Sequence, residues 1–202
     1  MIWNDHSRLE GAHAFLGASQ YSWLNYDEDH LVEVFRNKLA VERGTRLHAL
    51  ACEHIKLGIP IPILNPDQPD TLSLYINDAL GFRMTPEVVL YFSENCFGTA
   101  DAISFRVEKK GKSGGKKQKP TLRIHDLKTG KHQASFKQLD IYAALFCLEY
   151  KQNPKDILIE ERIYQFNEIA ISSPPSEDIA KIMEKIKEFD KVLKQEKAEE
   201  GV

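Results

Sequence analysis

Apolar positions change period along the chain, and the changes mark out its elements. Between residues 30 and 57, Leu31, Val34, Leu39, Leu47, Leu50 and Ile55 form a stripe at helical spacing. Asp27, Glu28 and Asp29 suit the start of that helix, and Gly58 and Pro60 its end. Gly44 interrupts the stripe and marks either a break or a close packing contact. A proline-rich loop over 58–69 leads into a second helix over 70–82. The period then falls to two. Residues 87–93, 97–107 and 121–127 read as strands rich in β-branched and aromatic side chains. Between the last two, residues 108–120 are rich in lysine and glycine, the composition of a flexible hairpin tip. A helix over 134–150, apolar on most sides, is expected to be largely buried. A strand over 157–166 follows, extended after a turn at 168–171, and then an amphipathic charged helix over 176–196.

This order predicts an α/β fold with a mixed central β-sheet flanked by helices. Residues 1–28 are polar and punctuated by Trp3, Phe15, Tyr21, Trp23 and Tyr26; they read as an irregular arm with a short helix near 18–25. One domain is expected over 1–202, comprising this arm, a core over 29–172 and a C-terminal helix over 173–202. No repeats or linkers interrupt it.

Composition narrows the function classes. Hydrophobic residues make up 42% and charged residues 28% of the 202, so a soluble globular protein with a sizeable core is expected. The net charge of −3 means that nucleic-acid binding would have to come from a local basic patch. Cys52, Cys96 and Cys147 are far apart and show no Cys-x-x-Cys spacing, which argues against a cysteine-built zinc or iron–sulfur site and for free thiols in a reducing cytoplasm. No apolar run approaches membrane-spanning length, and the start of the chain lacks the basic-then-apolar pattern of a signal peptide. A cytoplasmic protein is expected.

Three segments carry candidate chemistry: Gly98-Thr99-Ala100-Asp101, His125-Asp126-Leu127-Lys128-Thr129-Gly130, and Gln138-Leu139-Asp140-Ile141-Tyr142. Residues two apart on a strand share a face, so Asp126 and Lys128 present a carboxylate and an ammonium side by side. Asp101 lies on a neighbouring strand. Two carboxylates together make a hard oxygen site suited to Mg2+ or Mn2+, which acidifies water and offsets charge on a phosphate. Lys128 would orient the nucleophile or stabilise the transition state. Alone, Asp126 and Lys128 read as a solvated ion pair. Asp101 resists that reading, because it interrupts an apolar strand where an unpaired carboxylate is costly.

Asp101 followed by Asp126-Leu127-Lys128 resembles the PD-(D/E)XK nuclease signature, with Thr99-Ala100 in place of the usual residues before the first aspartate. The Gly-Thr-Ala-Asp and Asp-Leu-Lys-Thr-Gly wording is similar to the RecB-like branch, as are Gln138 and Tyr142 in a Gln-x-x-x-Tyr motif and Gly44 to His48 in a Gly-x-x-x-His motif. The resemblance covers residues 19–150, with a weaker likeness at Ser19-Gln20-Tyr21-Ser22. Four motifs fall in order on the expected elements. The resemblance implies a restriction-endonuclease-like core, with His48 as a metal ligand beside Asp101 and Asp126 and the Leu127 carbonyl as another. Glu53 and Glu94 are outer candidates. Gln138 and Tyr142 are expected to hold Lys128 or the DNA backbone. Subfamilies of this branch that carry an iron–sulfur cluster need four cysteines, so that subgroup is excluded.

The implied activity is metal-dependent hydrolysis of DNA phosphodiester bonds, by an exonuclease in recombination or repair with DNA and a recombination protein as partners. Compact stand-alone proteins of this kind resemble those of bacteriophages and prophages. The alternative is a catalytically silent DNA- or partner-binding protein on the same fold. A hydrolase of small phosphates is a third reading, which lacks a phosphate-cradling glycine loop beyond Gly130. Lys112, Lys116 and Lys117, within the run from Lys109 to Lys119, read either as a solvated loop or as phosphate contacts, and Arg46 as a further DNA contact. His125 alternates away from Asp126 and is expected on the opposite sheet face, while the charged C-terminal helix reads as a surface helix or a self-association element.

Overall fold

The computed structural model describes residues 4–107 and 119–200, so Lys112, Lys116 and Lys117 lie outside the described residues. The chain divides into two compact units, Met1–Thr45 and Arg46–Val202, with the boundary inside helix α1 (Glu28–Leu57).

In the first unit, Asp27 Oδ1 accepts the His30 N–H at 2.8 Å, satisfying a donor that the first turn of α1 leaves open. The helix is not broken at Gly44, which is buried. The helix expected near 18–25 is a 3-10 segment, Ala18–Asn25, kinked at Gln20. Its serine, glutamine and asparagine positions offer little apolar stripe to bury. Trp23 Nε1 instead donates to the Gly17 carbonyl at 3.0 Å, tying the segment to the preceding loop.

Among the described residues of the second unit, five strands form one sheet in the order β1 (Thr85–Ser93), β2 (Cys96–Arg106), β3 (Thr121–Leu127), β4 (Leu158–Gln165) and β5 (Glu168–Ser172). The β1–β2, β2–β3 and β4–β5 pairs are antiparallel; β3 and β4 are parallel. A parallel pair needs a crossover, and helix α3 (Lys137–Glu149) supplies it. The sheet is therefore mixed and flanked by helices. All seven residues of β3 are buried, as a central strand covered on both faces requires.

One face packs on α3 and on helix α4 (Ser176–Glu200) through Leu90, Ile103, Leu122, Ile124, Leu139, Phe146, Ile163 and Ile179. The other packs on the last turns of α1 and on helix α2 (Thr71–Gly81) through Ala51, Ile55, Tyr75, Ile76, Leu127 and Tyr164. Asp70 caps α2, its Oδ1 accepting the Ser73 N–H at 2.9 Å. Helix α3 starts three residues later than its apolar pattern suggests. Gln165 Oε1 takes the Ala134 N–H at 3.0 Å, and that tertiary hydrogen bond holds the approach to α3 as a loop. The β4–β5 connection is a two-residue turn, Phe166-Asn167, with both φ angles positive (56° and 61°), the backbone a tight hairpin demands. No helix among the described residues is long and apolar enough to cross a membrane.

Candidate functional site

Strict alternation along β2 fails at one residue. Ala100 belongs to the core under α3, whereas Ala102, two positions on, belongs to the core under α2. The switch occurs at Asp101. In the hairpin register Pro86 faces Ala102 and Val88 faces Ala100, which sets Glu87 across from Asp101. Glu87 has φ 52°, a left-handed backbone state that a side chain bearing a Cβ adopts only at a steric cost. The paired kinks turn both carboxylates toward the same place.

Asp101 also bridges two strands. The β2–β3 ladder ends at Ala102 and His125. Beyond it, Asp101 Oδ2 accepts the Leu127 N–H at 3.0 Å, so a side chain replaces the next backbone bond. The same oxygen lies 3.3 Å from His48 Nδ1, presented by the second-unit part of α1. His48, Glu87 and Asp101 each offer one ligand atom, and the three atoms lie within 4.8 Å of one another. This donor set, one imidazole and two carboxylates, fits a divalent cation with a preference for oxygen and nitrogen. Charge in the cluster is mutually adjusted. The bond to Asp101 raises the His48 pKa against the opposing effect of burial. Burial, then the charge of Asp101, raises that of Glu87.

Asp126 is only 2% exposed. Burial first and the charge of Asp101 second push its carboxyl up to about 6, against the pull of Lys128 and His48. Lys128 Nζ donates to Asp126 Oδ1 at 3.0 Å. It also lies 2.9 Å from Oδ2, but off the hydrogen-bonding direction, so that buried oxygen has charge contact and no hydrogen bond. An acceptor left over in this way is a further feature that a cation would satisfy.

Lys128 is held from the other side by α3. Its Nζ donates to Gln138 Oε1 at 2.9 Å, and Gln138 Nε2 donates to the Tyr142 hydroxyl at 2.8 Å. The four-residue spacing puts both side chains on one helical face. Gly98 makes room for the ring: a Cβ there would lie 2.9 Å from Tyr142 Cε1. The chain Asp126–Lys128–Gln138–Tyr142 thus fixes an ammonium group beside the acidic cluster.

His48, Asp101, Asp126, Leu127, Lys128, Gln138 and Tyr142 all lie in the second unit and meet around the middle of β2 and the C-terminal end of β3. Leu127 contributes its N–H to Asp101 and its side chain to the core. Arg46 is exposed near the start of that unit. Glu53 and Glu94 do not join the cluster; Glu94 accepts from the Tyr91 hydroxyl at 3.1 Å. Glu87 takes the position those two were expected to fill. Its signal was available only through the hairpin register, which sets it opposite Asp101. His125 packs against Phe82 and Tyr164 on the α2 side, away from Asp126. Comparison of the chain with family models, with curated proteins and with solved structures finds no match.

Proposed function

We propose that the chain is a divalent-metal-dependent deoxyribonuclease of the RecB-like PD-(D/E)XK type, with a restriction-endonuclease-like core, acting as an exonuclease in DNA recombination or repair. One observation carries the reading. Five segments of the chain bring His48, Glu87 and Asp101 within 4.8 Å and set Lys128, clamped by Asp126 and Gln138, beside them. The mixed sheet with an α3 crossover is of the kind this reading requires.

His48, Glu87 and Asp101 would hold Mg2+ or Mn2+, with Asp126 and the Leu127 carbonyl as further ligands. When bound, the ion supplies positive charge against a phosphate and acidifies a water. Lys128 faces the same space as a fixed cation, placed to offset the charge that grows on the phosphoryl oxygens. Gln138 and Tyr142 hold its Nζ in one position, so little reorganisation is needed as that charge appears. Asp126 gains from metal and from Lys128 alike, since either cation favours its ionised form.

The test is incubation of the purified protein with linear, circular and single-stranded DNA in Mg2+, Mn2+ or chelator. Metal-dependent loss of linear substrates with circles spared supports an exonuclease. Binding to DNA with every substrate left intact in both metals would instead support the catalytically silent alternative.

A further inference from the structure

The ridge that begins at Gln138 does not stop at Tyr142. Phe146 and Tyr150 continue it at the same four-residue step, about 18 Å along the helix from Gln138 to Tyr150. Phe146 and Tyr150 line an open cleft of about 440 Å³, together with Arg83 just before β1, Thr85 at its first position, and Phe105 and Arg106 at the end of β2. Sites for small ligands occupy roughly 300–1,000 Å³. None of the acidic cluster lines it.

The lining combines three aromatic rings and two guanidinium groups with the aliphatic side chains of Val88, Leu90 and Ile103. Phe105 and Phe146 have ring centroids 5.0 Å apart, and Phe146 and Tyr150 4.8 Å. Phe146 is buried and props the other two, which are 36% and 50% exposed. Arg106 donates to the Arg83 carbonyl at 3.1 Å, and neither arginine has a carboxylate partner among the described residues. Arg83 sits at φ 53°, just past α2, where its N–H and that of Met84 close the helix onto Leu80 and Ala79. Glycine takes that backbone state freely and arginine does not. The left-handed residue that closes α2 therefore carries a guanidinium at the cleft.

We propose that this cleft holds one nucleotide of single-stranded DNA, its base against Phe105 and Tyr150 and its phosphate on Arg83 and Arg106. The ligand class rests on the nuclease reading. Exposed ring faces take bases of any sequence, and paired bases inside a duplex cannot present theirs, so the site selects an unpaired strand.

The test is fluorescence anisotropy of a labelled oligothymidylate in EDTA, where cleavage plays no part. Tyr150→Ala and Phe105→Ala should each weaken binding by about five- to a hundred-fold. Arg106→Gln should flatten the salt dependence by about 0.7 in log–log slope. Arg83→Gly should raise the melting temperature, because it removes the backbone conflict, while weakening binding; that pairing separates the effect from unfolding. A duplex of the same length should bind all variants alike. Variants that bind oligothymidylate as tightly as the parent, or that lose duplex affinity equally, overturn the proposal, as does a parent that does not bind oligothymidylate. If these losses appear without metal-dependent cleavage, the cleft stands and the nuclease reading fails. Cleavage with unchanged binding in the variants sinks the cleft alone.

Discussion

Glu161, on β4, is fully buried, and no N–H or hydroxyl group donates to either of its carboxylate oxygens. Its neighbour is another acid, Asp140 on α3, so a bond between them exists only when one carries a proton. Burial, followed by the charge and hydrogen bond of Asp140, pushes the Glu161 carboxyl up to about 8 from 4.5. Asp140 is raised by its own burial and lowered by accepting from Glu161, which places the proton on Glu161. The sign follows directly. Between those two pH values the folded chain keeps a proton that the unfolded chain releases, so stability falls as pH rises through the window. Each tenfold change in proton affinity is worth about 1.4 kcal/mol, so the full cost above pH 8 is on the order of 5 kcal/mol, less what relaxation and water entry recover. Glu161→Gln keeps the shape and supplies a permanent N–H donor to Asp140. Urea denaturation of parent and variant at pH 5, 6.5 and 8.5 measures the difference. A difference within about 1 kcal/mol at pH 5, growing to an advantage of roughly 2–5 kcal/mol for the variant at pH 8.5, is the expected result. A difference that does not change with pH would mean that folded Glu161 holds no extra proton.

The remaining predictions concern the site. Gly98→Ala should push the Tyr142 ring away and break the Gln138–Lys128 chain, costing about 1–3 kcal/mol in stability and lowering cleavage; thermal melting and a nuclease assay read both, and unchanged activity counts against the role of the chain. Glu87→Gln should weaken Mn2+ binding about tenfold or more by isothermal titration calorimetry while relieving none of the φ 52° strain, and equal affinity would remove Glu87 from the ligand set. Under the proposed reaction, Lys128→Ala should lower cleavage by about a hundredfold or more with folding and most DNA binding retained, since its charge would act on the transition state; comparable single-turnover rates for variant and parent exclude that role.

Most elements were legible in the sequence because burial imposes its period on local sequence. The three-strand run, the α3 crossover and the charged last helix follow from switches between periods of two and 3.6. Where local pattern and structure part, a tertiary partner is responsible, as when Gln165 holds Ala134 out of α3. The candidate site divides the same way. Asp126 with Lys128, and Gln138 with Tyr142, are pairs whose spacing alone puts them on one face of a strand or helix, so residue order suffices to propose them. Glu87 could not be found that way. It becomes a neighbour of Asp101 only through the hairpin register, and it turns inward only because both strands depart from regular geometry at that point. The Arg83–Tyr150 cleft and the Glu161–Asp140 pair are likewise products of packing, joining residues from three and two elements that no local period relates. Residue order assigns side chains to faces, because side-chain direction repeats with the backbone. Which faces meet is fixed by packing, because that depends on strand order, register and the few residues that break the repeat.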